Sequence, residues 1–180
     1  RTDDMLDMAD AIKNVWADAW LFRTFEERAY YRVDHKSLGM AVLVHPNFAE
    51  EEANGVAVTA NPFDASGLDP AFYINAQLGD ASVVLPPAGI TTDQVLVYWD
   101  SPGQPIVYIG HSNLVASNAT VLSRTQLLAL ATALDKIHDY FRAAYGTGVD
   151  WYAMDIEWKF DGEPGQEPAL YIKQARPYGQ

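Results

Sequence analysis

An α+β fold, a mostly antiparallel sheet with two long helices, is predicted by three features of this sequence. Apolar residues recur at three- and four-residue spacing in two long stretches, one near the start and one after Ser123. Short apolar runs rich in β-branched and aromatic residues lie elsewhere, each closed by Gly, Pro, Asn or Asp. The order is helix, strands, helix and a final pair of strands, which is an α+β arrangement.

Each element has a local reason. "DDMLDMADAIKNVWADAWLFRTFEERAYYR" reads as one long helix, capped by Asp3 or Asp4, with room for a break near Thr24. Met5, Met8, Ile12, Val15, Trp16, Ala19 and Trp20 form its stripe. "GMAVLVHP" is expected to be a buried strand stopped by Pro46. "EEEAN" with Gly55 is expected to turn into a second strand, "GVAVTANP", which halts at Asn61-Pro62. "AFYINAQLGD" is a third strand, and "DQVLVYW" and "PIVYIG" are two more, antiparallel across the turn "DSPGQP". Ser123 caps the second helix, Leu127, Leu130, Leu134, Ile137 and Phe141 form its stripe, and Gly146 ends it. "WYAMDIEWKF" and "ALYIKQAR" are the closing strands.

The totals exclude several functions. At 180 residues and nearly half apolar, the chain can bury a core, and a single domain or large subdomain over 1–180 is expected. A net charge of −12 with scattered Lys and Arg argues against nucleic acid, though not against ATP, for which Mg²⁺ supplies positive charge. The absence of Cys removes disulfides, thiolate nucleophiles and Cys-based zinc sites. No apolar run approaches the ~18 residues of a membrane span. The start, "RTDDMLDMAD", is acidic and does not resemble a signal peptide, so a cytoplasmic location is expected. Because the chain begins on Arg1, a processed form or an excised segment is also expected.

The closing strands carry the chemistry. Alternation sends Asp155, Glu157 and Lys159 to one face and Met154, Ile156, Trp158 and Phe160 to the other. On the returning strand Gln174 and Arg176 share a face with Leu170 and Ile172 by the same count. Antiparallel pairing of Glu157 with Gln174 brings Asp155 opposite Arg176, and all four polar groups into one patch. Carboxylates suit Mg²⁺, an amide can hold phosphate or metal-bound water, and a guanidinium can clamp a phosphoryl group. The same pattern also fits an ion pair on a solvated sheet face, worth less than ~1 kcal/mol.

"DIEWKFDG…LYIKQARP" resembles the end of the PEP/pyruvate-binding, ATP-grasp domain of phosphoenolpyruvate synthases, pyruvate phosphate dikinases and related water dikinases. "IKNVWADAW…RAYYR", "MAVLVHPNF", "NGVAVTANPF" and "INAQLGDASVV" resemble upstream segments of that domain in the same order. The resemblance implies an ATP-grasp-like C-terminal subdomain. It implies ATP and Mg²⁺ as ligands, with Asp155, Glu157 and Gln174 holding metal and phosphates and Arg176 stabilising the transferred phosphoryl group. Asp80 falls where the family carries Glu at a nucleotide-facing turn. Asn47 and Phe48 fall in the adenine-contacting linker, whose "HPNF" departs from the family's Gln-Arg-Met-Val. Thr59 and Asn61 either approach the nucleotide or serve turn chemistry before Pro62. The family's N-terminal lobe and a phosphohistidine domain have no counterpart in the sequence and are implied as partners. His138 sits in an apolar stripe and is expected to pack or cap. The implied activity is phosphoryl transfer from ATP to a histidine carrier and on to pyruvate or a similar acceptor. The alternatives are a non-catalytic nucleotide-binding or interaction module, and a purely structural role.

Overall fold

The computed structural model describes residues 8–44, 48, 51–163 and 165–179. The chain divides into two compact units, Arg1–Asn47 and Phe48–Gln180. In the first, α1 (Met8–Asp18) and α2 (Phe22–Tyr30) replace the single helix expected. The break lies at 19–21 rather than near Thr24. There the amides of Trp20 and Leu21 bond the carbonyls of Ala17 and Asp18 in a tight i→i−3 turn, and Leu21 is extended. Trp20, Leu21 and Phe22 are three bulky apolar residues in succession, which one helical face cannot hold. After the break the Trp20 ring lies 5.4 Å from the guanidinium of buried Arg28. Residues 39–44 are not a strand, contrary to expectation: no described strand pairs with them, and Leu43 and Val44 are exposed. Asp3, Asp4, Met5 and Pro46 lie outside the described residues.

The second unit is one six-stranded antiparallel sheet with a helix against it. Its strands are β1 (Glu51–Val58), β2 (Phe72–Leu78), β3 (Asp93–Val97), β4 (Ile106–Gly110), β5 (Met154–Asp161) and β6 (Ala169–Pro177). Their spatial order is β4-β3-β2-β1-β5-β6. The helix α3 (Arg124–Tyr145) has the expected start and stripe. Ser123 accepts from the Gln126 amide and donates its own N–H to the Gln126 side chain, a capping box worth about 1 kcal/mol. Leu127, Leu130, Ala131 and Leu134 are buried against the sheet, joined by partly buried Ile137 and Phe141. No described helix is long and apolar enough to cross a membrane.

Asn54-Gly55 looks like a turn signal, yet both residues lie inside β1. Gly55 pairs with Trp158, and the Trp158 indole lies against its Cα. With Ala53 and Ala57 beside it, Gly55 keeps the central strand low enough for Trp158 and α3 to pack over it. A Cβ at position 55 would enter both the Asn75 carbonyl and the Trp158 ring. Gly55→Ala is expected to cost about 2–3 kcal/mol, read as a lower urea midpoint with unchanged m.

The final strand pair contains a bulge that the alternation count does not foresee. Asp155 pairs with Arg176 and Glu157 with Gln174, but Trp158 pairs with Ile172, so Lys173 has no partner on β5. Phe160 then pairs with Leu170, and Leu170 packs on the core. Leu170 and Ile172 are therefore on the opposite face from Gln174 and Arg176, which corrects the single face expected for all four. The extra residue lets β6 set Leu170 against the core while Gln174 and Arg176 turn outward. Deleting Lys173 forces one half onto the wrong face, and a loss of at least ~2 kcal/mol is expected by urea denaturation. Unchanged stability in that variant would show that the bulge does not set the register.

Candidate functional site

The register of β5 and β6 assembles the polar group inferred from the sequence. On one face of the sheet Asp155 and Arg176 lie opposite each other, with Glu157 and Gln174 as the next pair. Arg176 donates from Nε at 2.9 Å and from Nη2 at 2.7 Å, both to Asp155 Oδ2. Asp155 Oδ1 has no hydrogen-bond partner among the described residues, nor do the side chains of Glu157 and Gln174. The Asp155 hydrogen bond, then its charge and that of Glu157, hold the Arg176 guanidinium above its ordinary pKa. At 62% exposure the guanidinium still faces solvent, so an incoming anion can reach it.

A 220 Å³ cleft runs beside this patch, bordered by Glu157, Lys159 and Lys173 and, across from them, by Asn54, Ser82 and Val83. Three hydrogen bonds hold the far wall. The Asn54 amide donates to the carbonyls of Gly79 at 2.7 Å and Ala81 at 2.9 Å, and the Gly79 N–H bonds Glu52. Gly79 has φ +63°, where a side chain would be strained. Asp80 is exposed on this turn, two residues before Ser82. Phe48 lies further along the same face. Its ring meets Tyr171 edge-on at 5.0 Å, and Lys159, paired with Tyr171 and bonded to Glu51, sits 5.5 Å above it. Asn47 lies outside the described residues.

These donors fit a magnesium ion. Mg²⁺ takes oxygen ligands, one or two of them carboxylates, and keeps the remainder as water or phosphate oxygens. Asp155 Oδ1, the Glu157 carboxylate and the Gln174 amide oxygen are hard donors of that kind on neighbouring positions. No group of three or more His, Cys, Asp or Glu side chains that could hold a metal ion occurs among the described residues, so the protein's own carboxylates would supply at most two ligands here.

Thr59 goes elsewhere. It is buried, and its hydroxyl lies 2.9 Å from His138 Nδ1 on α3 and accepts from the Met154 amide at 2.8 Å. Arg142 Nη2 lies 2.8 Å from His138 Nε2. A guanidinium only donates, so Nε2 accepts and the proton sits on Nδ1, directed at Thr59. His138 thus packs as expected and latches α3 to the ends of β1 and β5. It also lines a separate 550 Å³ cavity with Thr59, Asn61 and Trp99. Asn61 is a turn residue, donating to Asp69 and accepting from the Phe63 amide.

Burial first, then the charge of Arg142, pushes the His138 pKa below its usual value, against the pull of Asp139, Asp135 and Asp100. The unfolded chain takes its proton near pH 6.5 and the folded chain only at lower pH. The stability this group supplies is therefore complete above about pH 6.5 and drains away as pH falls through the folded value. Urea midpoints of the wild type between about pH 7.5 and 5 should fall more steeply than those of His138→Gln. Parallel curves would refute this.

Three contributors were not legible in the sequence. Asn54 sits in an apparent turn dipeptide, and Lys173 owes its place to a bulge. Asp93 reads only as the start of a strand, yet it is buried, accepting from Ser112 N and Val121 N at 2.7 Å each. It ties the long segment after β4 to the sheet. Only the Asp itself, a charge opening an apolar run, hinted at such a role.

No curated protein matches the chain. A family does: residues 2–180 match the family described as pyruvate phosphate dikinase, AMP/ATP-binding domain. That match spans nearly all of the sequence and both compact units. With the antiparallel sheet and the acid–amide–guanidinium patch it makes one consistent description, and the chain belongs to the pyruvate phosphate dikinase AMP/ATP-binding domain family.

Proposed function

We propose that the β5–β6 face binds the phosphates of Mg²⁺-ATP and that the chain serves a dikinase-type phosphotransferase. The reading rests on one observation above the others, the pairing of Asp155 with Arg176 and of Glu157 with Gln174 on a single open face. Glu157, Gln174 and Asp155 through Oδ1 would hold the metal, which when bound neutralises phosphate charge and draws the phosphate oxygens into one arrangement. Arg176, already fixed by Asp155, offers its outer N–H groups to the phosphoryl oxygens. It needs no reorganisation to do so, which is where positioned charge gains its effect. Asp80, on the turn held by Asn54, stands near the cleft, Phe48 is the wall we assign to adenine, and Asn47 is assigned to the same ligand from the sequence alone. Thr59 supports the site only through the sheet, since its hydroxyl is engaged with His138 and Met154.

In the full reaction phosphate passes from ATP to a histidine carrier and on to pyruvate or a similar acceptor, with the family's N-terminal lobe and a phosphohistidine domain as partners. The whole of 1–180 acts in this reading as one ATP-grasp-like subdomain at the C-terminal side of the nucleotide. A cytoplasmic setting accords with that chemistry, which draws on cellular ATP.

Calorimetric titration of the chain with ATP, with and without Mg²⁺, tests the reading. Glu157→Gln is expected to weaken Mg²⁺-ATP binding by roughly tenfold or more while changing metal-free binding little. Arg176→Gln should weaken both. Equal binding by wild type and both variants would remove the proposal.

A further inference from the structure

The bulge has a second effect beyond the register: it releases a cation into the phosphate cleft. Lys173 is the residue without a partner on β5, and it borders the 220 Å³ cleft beside Glu157. Its ammonium has no hydrogen bond or ion pair among the described residues. The other lysine there, Lys159, is bonded to Glu51 and stacked over Phe48. Arg176 is bonded to Asp155. In a chain of net charge −12, an uncommitted cation next to a carboxylate is poised to accept an anion.

We infer that Lys173 binds the outer phosphates of the nucleotide and makes the site prefer ATP to AMP. The inference rests on the nucleotide reading above. A metal held between Glu157 and Gln174 neutralises part of a polyphosphate, and Lys173, beside Glu157 on the same wall of the cleft, is placed to meet the phosphates that extend past the metal. AMP has a single phosphate and lacks the groups that this ammonium would contact, so its binding gains nothing from Lys173. Substitution keeps the extra residue and hence the bulge, unlike deletion, so the charge can be removed without disturbing the register.

The test is calorimetric titration of the full chain with Mg²⁺-ATP, inorganic tripolyphosphate and AMP, using wild type, Lys173→Gln, Lys173→Arg and Glu157→Gln. Lys173→Gln is expected to weaken ATP and tripolyphosphate by roughly tenfold and AMP by less than about twofold. Lys173→Arg should recover most of the loss. If Lys173→Gln binds ATP and tripolyphosphate like wild type while Glu157→Gln does not, this inference fails and the nucleotide reading stands. An equal loss for AMP also overturns it, since the residue would then not discriminate. If the wild type binds neither ATP nor tripolyphosphate, the nucleotide reading falls and this inference with it.

Discussion

The two-against-one pairing at Lys173 constrains everything built on β5 and β6. A regular antiparallel pair has one side-chain alternation, and β6 carries apolar residues at 170 and 172 and polar ones at 174 and 176 in the same phase. Without an extra residue, either Gln174 and Arg176 would face the α3 core or Leu170 would leave it. Burying an arginine and an amide without partners costs several kcal/mol, far more than a local disruption of the ladder. The core thus enforces the irregularity, and the irregularity places the polar pairs where a ligand can reach them.

The remainder of the second unit holds that face in place. Gly55 with its alanine neighbours lets Trp158 lie flat over β1, which seats β5 beside the central strand. His138 and Thr59 fasten α3 across the strand ends. Asn54 reaches outward to clamp the turn bearing Asp80, and Asp93 anchors the segment leading to α3. Each is a polar or small residue spent on position within an otherwise apolar framework.

What the sequence made legible follows from the reach of each signal. Period-two alternation in "MDIEWKF" and the helical stripe ending at Phe141 are strong local patterns, and both elements stand where they were read. The pairing of Glu157 with Gln174 was legible because three charges, one amide and matched spacing leave few useful registers. The bulge was not, since it answers a conflict between two strands and a helix distant in sequence. Asn54-Gly55 misled for a similar reason: the need for glycine came from Trp158, about a hundred positions away. Residues 39–44 were apolar enough for a strand but had no described neighbour to complete their hydrogen bonds. A count of apolar residues cannot report a missing neighbour.

β6 ends the sheet, so its outer backbone amides and carbonyls have no described strand beyond them. Exposed rows of that kind invite another chain to add itself, and proteins guard them with charge and with kinks. Lys173 and Arg176 stand on this border, and the bulge bends it at Lys173. The features assigned here to holding phosphate therefore also discourage edge-on self-association. Selection on the border for solubility and selection for ligand capture would favour the same side chains.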